Sequence, residues 1–512
     1  MNENVAWIVR RAVGVSARRT AVIDGDVHYD YATLDDRLRR LAGGMAGLGL
    51  GLGDVVAVLA ANSYQHLECG LGLPSAGLVI NDLNYRLSAN ELTFIVNDSN
   101  AKVIVTDATH LATARTLMDQ CRSLTAIVYA GTGEAPSGTV GYDALLAADP
   151  VESVESTDDT LAAICYTGGT TGLPKGVMLS HRNLVQNAKH ALFAMAYTPD
   201  DSYLHATPMF HAADTAETYA ATWAGAGHVI LPGFDAQLLV ETVERDRPTV
   251  MTLVPTMINL LVNLPGVEHA DLSSVRRMIY GASPMPAELQ RKALALLPVE
   301  WSQLYGMTEA APIVTHLSPI DHVRGATGEE PYATRLRAAG TAVPGVEVSI
   351  RDAEGNPCPT GEPGEIWCRG TNFMLGYLNR AEETEKALAG GWYHSGDMGY
   401  LDADGYVYVV DRVKDMIVSG GENVYSVEVE NAIYQHPAVL EAAVIGVPDD
   451  TWVERVHAIV VLKPNAVLTA DELRDHCRQF IGGYKVPRTI EFRTDALPKS
   501  GAGKILKREL RG

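Results

Sequence analysis

Tyr166-Thr167-Gly168-Gly169-Thr170-Thr171-Gly172-Leu173-Pro174-Lys175-Gly176 lies between two apolar runs that read as strands. From Thr167 to Gly176, four glycines, three threonines and a lysine fill eight of ten positions. Glycines let a backbone approach a phosphate closely and present consecutive N–H donors to it. The threonine hydroxyls add donors and Lys175 adds charge, so the stretch suits a polyphosphate. A kinase-type P-loop would need Gly-Lys-Ser/Thr running straight into a helix. Here Lys175 is followed by Gly176-Val177-Met178-Leu179, a strand pattern. A plain hairpin loop is the remaining alternative, but this order of residues is far more specific than a lone GxGxxG.

Outward from the loop, apolar runs at 55–60, 102–107, 161–166 and 250–254 alternate with helical patterns such as 183–195 and 256–264. The alternation predicts an α/β domain whose sheets are covered by helices. From about Pro344 the texture changes to short strands (346–351, 365–369, 405–411) separated by turn sequences such as Asp402-Ala403-Asp404-Gly405, which predicts a small antiparallel unit. The last hundred residues read as a helix over 426–434, strands at 442–447 and 457–462, and a helix at 469–481, a small α+β domain. The expected division is a large N-terminal domain over 1–411, with its β-rich part at about 344–411, then a link at 412–414 and a small mobile domain over 415–512.

The chain has 512 residues, 47% of them apolar, enough for more than one core. No apolar run reaches the ~18–20 residues that span a bilayer. The opening Met1-Asn2-Glu3-Asn4, with Arg10 and Arg11, lacks the order of a signal peptide, so a cytoplasmic location is expected. The net charge of −21 argues against nucleic acid as a partner. It does not exclude a nucleotide, which a few backbone donors and one or two cations can hold. The six cysteines are scattered without a CxxC pair and read as reduced thiols rather than a zinc or disulfide framework.

The loop resembles the phosphate-binding signature of the adenylate-forming superfamily, in its acyl-CoA synthetase branch of fatty-acid and aryl-acid CoA ligases, and further motifs follow in that family's order. The resemblance implies that Thr167, Gly168, Gly169, Thr170, Thr171, Gly172 and Lys175 hold the phosphates of ATP. Gln303-Leu304-Tyr305-Gly306-Met307-Thr308-Glu309 resembles the second core motif, implying Tyr305 beside adenine, Gln303 and Gly306 as further ATP- or AMP-binding residues, Thr308 on the α-phosphate and Glu309 on Mg²⁺. Mg²⁺ prefers hard carboxylate oxygens and shares its sites with phosphates. Tyr280-Gly281-Ala282-Ser283-Pro284 resembles the loop whose backbone frames adenine; as a strand-to-helix turn, it could use Ser283 as the cap. Trp392-Tyr393-His394-Ser395-Gly396-Asp397 resembles the motif whose Asp397 accepts from the ribose hydroxyls, with Ser395 where the family usually has threonine. Asp411-Arg412-Val413-Lys414 resembles the ribose-binding Arg412 and a hinge at Lys414. Leu497-Pro498-Lys499-Ser500-Gly501-Ala502-Gly503-Lys504 resembles the tail loop whose lysine, Lys504, neutralises charge as a carboxylate attacks the α-phosphate.

Ser419-Gly420-Gly421-Glu422 resembles the loop that lines a pantetheine tunnel after the small domain has turned. The loop can also be a tight turn into the next helix, capped by Asn423 or Ser426. Val453 stands where CoA ligases commonly have glycine. Pro208-Met209-Phe210-His211 resembles the segment bordering the acyl pocket; His211, with a catalytic role implied, replaces the aspartate of amino-acid-activating relatives. Asp214 and Glu217 follow where a fatty-acid pocket should be apolar. They are expected to face solvent or a helix end; the alternative is that Asp214 meets a polar group on the acid. The expected substrates are ATP, a carboxylic acid and coenzyme A, with Mg²⁺ as cofactor and a carrier-protein thiol or a nitrogen nucleophile as alternative acceptors. A non-catalytic ATP-binding protein is the other class. The chain is expected to act as a monomer or homodimer.

Overall fold

The computed structural model describes residues 3–154, 156–167, 174–283, 285–412, 415–419, 422–449, 452–500 and 505–511. Val55–Leu59 shows how the core is built. Every residue of this run is buried, and alternate side chains serve opposite faces. Val56 and Val58 join an inner core with helices Tyr31–Gly47, Tyr64–Ser75 and His181–Met195, whereas Val55, Ala57 and Leu59 join an outer core with helices Ala89–Ser99 and Leu111–Gln120. The strand belongs to an eight-stranded sheet whose order runs from Gly376–Tyr377 through Lys175–Ser180, Leu161–Thr167, Val79–Asp82 and Val55–Leu59 to Val103–Thr106 and beyond.

A second sheet, of nine described strands, repeats the device. Tyr203, Val250 and Ile279 face the inner core, while Leu204, Met251 and Met278 face the helices Ala236–Asp246, Pro255–Val262 and Ala287–Leu296. Two sheets therefore sandwich one helical layer, and each carries a further layer outside. The expected strands and helices are present with shifts of a few residues. The strand expected at 405–411 starts at Val407, because Gly405 at φ +81° closes the Asp402 turn. The helix expected to reach 481 ends at Cys477 and continues as turns.

Four antiparallel strands, Val346–Arg351, Gly364–Gly370, Tyr393–Leu401 and Val407–Arg412, form the small β unit. Two buried asparagines weld its connecting segment to the large sheets. Asn183 Nδ2 donates to the carbonyls of Thr371 (3.0 Å) and Phe373 (2.6 Å), and Asn372 Nδ2 to those of Ala310 (2.7 Å) and Ile313 (2.9 Å). Beyond Arg412, a separate sheet built on Val439–Asp449 and Val453–Leu462 has its own core with helices Ser426–Tyr434 and Ala470–Cys477.

Two expected caps are corrected. Helix Ala287–Leu296 begins after Pro286, so Ser283 lies too far upstream to cap it. Helix Ser426–Tyr434 has no side-chain cap at Tyr425; instead Asp411, from strand Val407–Arg412, accepts from the Ser426 N–H and from its hydroxyl at 3.1 Å. A carboxylate at a helix N-terminus satisfies an orphan donor and suits the helix dipole. Asn183→Ala removes two tertiary hydrogen bonds and the acceptor for the Ser180 N–H (2.9 Å). It is expected to destabilise the chain by about 2–3 kcal/mol, seen as a lower urea midpoint; an unchanged midpoint would reject the weld.

Candidate active site

Strands Ser202–His205, Val250–Leu253, Arg277–Gly281 and Glu300–Gly306 are parallel neighbours, so their C-terminal ends share one edge of the sheet. Such an edge is where open α/β sheets present ligand-binding groups. From it emerge Phe210 and His211, Ala282 and Ser283, and Thr308 and Glu309. Glycine is demanded where backbones crowd there. A Cβ on Gly281 would strike the Leu304 carbonyl, and one on Gly306 the Pro312 carbonyl. Ala282 lies at φ +66° directly after the strand, and Gln303 sits opposite Tyr280.

The small β unit supplies the next group. Asp397 and Arg412 face each other across strands Tyr393–Leu401 and Val407–Arg412. Arg412 Nε lies 3.0 Å from Asp397 Oδ1, and the Tyr305 hydroxyl donates to Oδ2 at 2.8 Å. Burial, reinforced by Asp397, pushes the Tyr305 phenol well above its usual range, so it stays a donor. Burial works against the Arg412 charge, yet Asp397 and Tyr305 raise its pKa above the ordinary value. Ser395 keeps a role in place of threonine: its hydroxyl accepts from the Asp397 N–H at 3.0 Å.

Thr167 and Lys175 are opposite one another where the hairpin Leu161–Thr167/Lys175–Ser180 opens. Gly168, Gly169, Thr170, Thr171 and Gly172, at its tip, lie outside the described residues, as do Lys414, Gly420, Gly421 and Lys504. Lys175 Nζ rests 5.0 Å from the centroid of the Tyr377 ring, and the Tyr377 hydroxyl donates to Glu309 Oε1 at 2.8 Å. Nothing in the sequence signalled Tyr377, a lone aromatic 68 positions from Glu309. Ser419 is buried and pairs with Val453, a β-branched residue held at φ +70°.

Asn62 clamps the segment from His205 to Met209. Its Nδ2 donates to the carbonyls of His205 (3.0 Å) and Thr207 (2.8 Å), and its Oδ1 accepts from the Met209 N–H (2.8 Å). Phe210 meets the Tyr85 ring edge-on at 5.0 Å, and Tyr85 packs on His110 at 4.9 Å. His211 caps helix Ala212–Ala224, its Nδ1 accepting from the Ala213 N–H at 3.2 Å, which leaves the neutral ring's proton on Nε2.

Neither Asp214 nor Glu217 faces solvent: Asp214 is buried at the helix end, in the first turn of Ala212–Ala224, and Glu217, which was expected at solvent or a helix end, is buried further along that helix. Asp214 accepts from His205 Nδ1 (2.7 Å) and the Thr207 hydroxyl (3.0 Å), with the Thr218 and Tyr203 hydroxyls at 3.4 Å. His205 continues to His228 at 3.0 Å. The Asp214 carboxylate is thus engaged by protein groups on both oxygens. Spacing along the helix shows only Thr218; Tyr203, His205 and Thr207 come from strand Ser202–His205 and the loop after it.

The family described as AMP-binding enzyme matches residues 9–378, and the AMP-binding enzyme C-terminal domain matches 428–504. A feruloyl-CoA synthase from Amycolatopsis sp is 39% identical over 511 residues, covering 99% of this chain and 98% of its own. A fatty acid–[acyl-carrier-protein] ligase, ScoC, from Streptomyces coeruleorubidus is 34% identical over 485 residues, covering 94% and 91%. The crystal structure of the anthranilate CoA ligase AuaEII with anthranoyl-AMP superposes with a TM-score of 0.91 at 27% identity, covering 100% of this chain and 97% of that one.

Burial pushes the Glu217 carboxyl up to about 8; the Tyr197 hydroxyl donates to one oxygen at 2.8 Å, and Oε1 has no hydrogen-bond partner among the described residues. The folded chain therefore holds a proton that the unfolded chain releases from about pH 4.5 upward. This group's stabilising contribution is present at low pH and is lost as pH rises to about 8. Glu217→Gln removes the dependence. Its melting temperature, relative to the wild type, is expected to gain several degrees between about pH 5 and pH 9. A gap that stays constant with pH would show that Glu217 is ionised throughout.

Proposed function

The chain belongs to the AMP-binding, adenylate-forming enzymes, and from that membership we propose that its acid is an aryl or arylalkenyl carboxylic acid activated by the residues gathered at the strand ends. The enzyme is an acid–thiol ligase: it consumes ATP, forms an acyl-adenylate with release of pyrophosphate, and transfers the acyl group to coenzyme A. Among the described residues, no helix is long and apolar enough to cross a membrane.

In the first step, a carboxylate oxygen of the acid attacks the α-phosphorus and the bond to the bridging oxygen breaks, carrying the electron pair away on pyrophosphate. Charge accumulates on the phosphates, so positioning and electrostatics dominate the catalysis. In our reading, Thr167 and Lys175 at the mouth of the hairpin, with the loop residues between them, hold the phosphates. Thr308 meets the α-phosphate, and Lys504 completes the charge balance. Asp397 takes the ribose hydroxyls, held in place by Tyr305 and Arg412. In the second step, the thiol attacks the acyl carbonyl, a tetrahedral centre collapses, and AMP leaves. For this step we propose that the part after Lys414 turns relative to residues 1–411 and brings the Ser419–Glu422 loop to the acyl group.

Magnesium fits the donor set. Glu309 offers one hard carboxylate, and no cluster of three His, Cys, Asp or Glu occurs among the described residues, which leaves the other positions to phosphate oxygens and water. The bound ion would neutralise charge on the phosphates.

The aromatic wall formed by Phe210 and Tyr85 is the observation that carries the aryl reading. A flat ring gains from edge and face contacts there, and the two acids that follow point away into protein partners. The identity to a feruloyl-CoA synthase supports the same class. A carrier-protein thiol as a second acceptor is favoured by Val453. Its side chain is 69% exposed beside Ser419, and the ScoC relative is an acyl-carrier-protein ligase.

The test is pyrophosphate exchange across cinnamate-type, benzoate-type and straight-chain acids, followed by AMP release with CoA or a pantetheinylated carrier protein. Exchange is expected to be highest with the aryl acids, and AMP release to depend on CoA. Highest exchange with straight-chain acids would overturn the aryl assignment. Lys504→Ala is expected to cut exchange by roughly 10²–10³-fold while a supplied acyl-adenylate still reacts with CoA; equal loss of both steps would reject the two-conformation account.

A further inference from the structure

Tyr377 stands between the two charges on which the phosphate chemistry depends. Its strand, Gly376–Tyr377, pairs with the strand that begins at Lys175, Tyr377 lying opposite Val177, and the Leu378 N–H donates to the Gly176 carbonyl at 2.8 Å. The Tyr377 N–H donates to the Thr384 hydroxyl at 2.9 Å. The ring is therefore fixed by its backbone to the phosphate hairpin. Glu309 is fixed to the same segment, since its carbonyl accepts from the Met374 N–H at 2.8 Å. Tyr377 and Glu309 are 8% and 9% exposed, so both groups work largely out of water.

We propose that Tyr377 is a positioning residue: its ring face seats the Lys175 ammonium and its hydroxyl fixes one oxygen of Glu309, so that cation and carboxylate meet ATP and its metal rather than each other. The proposal rests on the reading that Lys175 serves a phosphate and Glu309 the magnesium ion. A lysine and a glutamate in a part-buried site attract strongly, and direct pairing would cancel the charge each has to offer. The phenol offers a substitute partner to both. An ammonium on the ring face is attracted by the ring's quadrupole without being neutralised. A hydrogen bond to Oε1 orients the carboxylate and leaves Oε2 for the ion.

The test uses the full-length chain and the variants Tyr377→Phe and Tyr377→Leu. Magnesium dependence of ATP binding is measured by calorimetry without acid; KM values come from pyrophosphate exchange, and melting temperatures are recorded alongside. Tyr377→Phe keeps the ring and loses the hydroxyl. Its half-saturating magnesium concentration for ATP binding is expected to rise about 3- to 10-fold, with the KM for the acid unchanged. Tyr377→Leu loses both contacts and is expected to weaken ATP binding itself by about tenfold as well. Wild-type magnesium dependence in Tyr377→Phe, or a lower melting temperature in Tyr377→Leu with unaltered ATP and magnesium binding, overturns the proposal. A wild-type chain that exchanges pyrophosphate while the variants bind magnesium normally rejects only the role of Tyr377. Absent exchange with any acid, together with shifted magnesium dependence in the variants, rejects the adenylation reading and keeps that role.

Discussion

The carboxylate of Asp397 joins three parts of the chain at one buried point. It sits on the small β unit, receives the Tyr305 hydroxyl from the large sheet, and pairs with Arg412 at the threshold of the last hundred residues. Neither partner is a neighbour in sequence. A buried carboxylate of this kind is costly unless both oxygens are engaged, so the fold has to bring all three elements together. That requirement sets the place of the small β unit against the edge of the large sheet. It also explains why Asn183 and Asn372 fasten the adjoining segment with four backbone acceptors.

The electrostatics are local rather than global. In a chain of net charge −21, the cations at the site are placed at strand termini and held there by specific partners. Arg412 is held by Asp397, and Lys175 by an aromatic face. The general acidity discourages nucleic acid without disturbing these few contacts.

The parts of this architecture that depend on short-range pattern were legible in the sequence. Val55–Leu59 reads as a doubly buried strand because all five residues are apolar, and the hairpin around Lys175 reads from its glycines and the strand on either side. The convergence of Tyr305, Asp397 and Arg412 was legible only through resemblance to a family. What could not be read was set by tertiary partners. Asp214 looked like a surface acid because its acceptor role is fulfilled by His205 and Thr207, which arrive from a neighbouring strand and its loop. Ser283 and Ser426 looked like helix caps; one lies too early, and the other gives way to Asp411. Tyr377 and Asn62 carried no pattern, because a single side chain bridging distant segments leaves no periodicity.

The cap formed by Asp411 has a mechanical consequence. The residue lies at the end of the small β unit, ahead of the proposed pivot, while the helix it caps lies beyond it. In the proposed swing about Lys414, the first turn of Ser426–Tyr434 would either lose its acceptor or pull the end of the strand along with the helix. Losing such a cap costs on the order of 1 kcal/mol. That is small beside the energy of the fold and comparable with thermal energy. In that proposal the contact is a detent, firm enough to define a resting angle and weak enough to be released as the part beyond it turns.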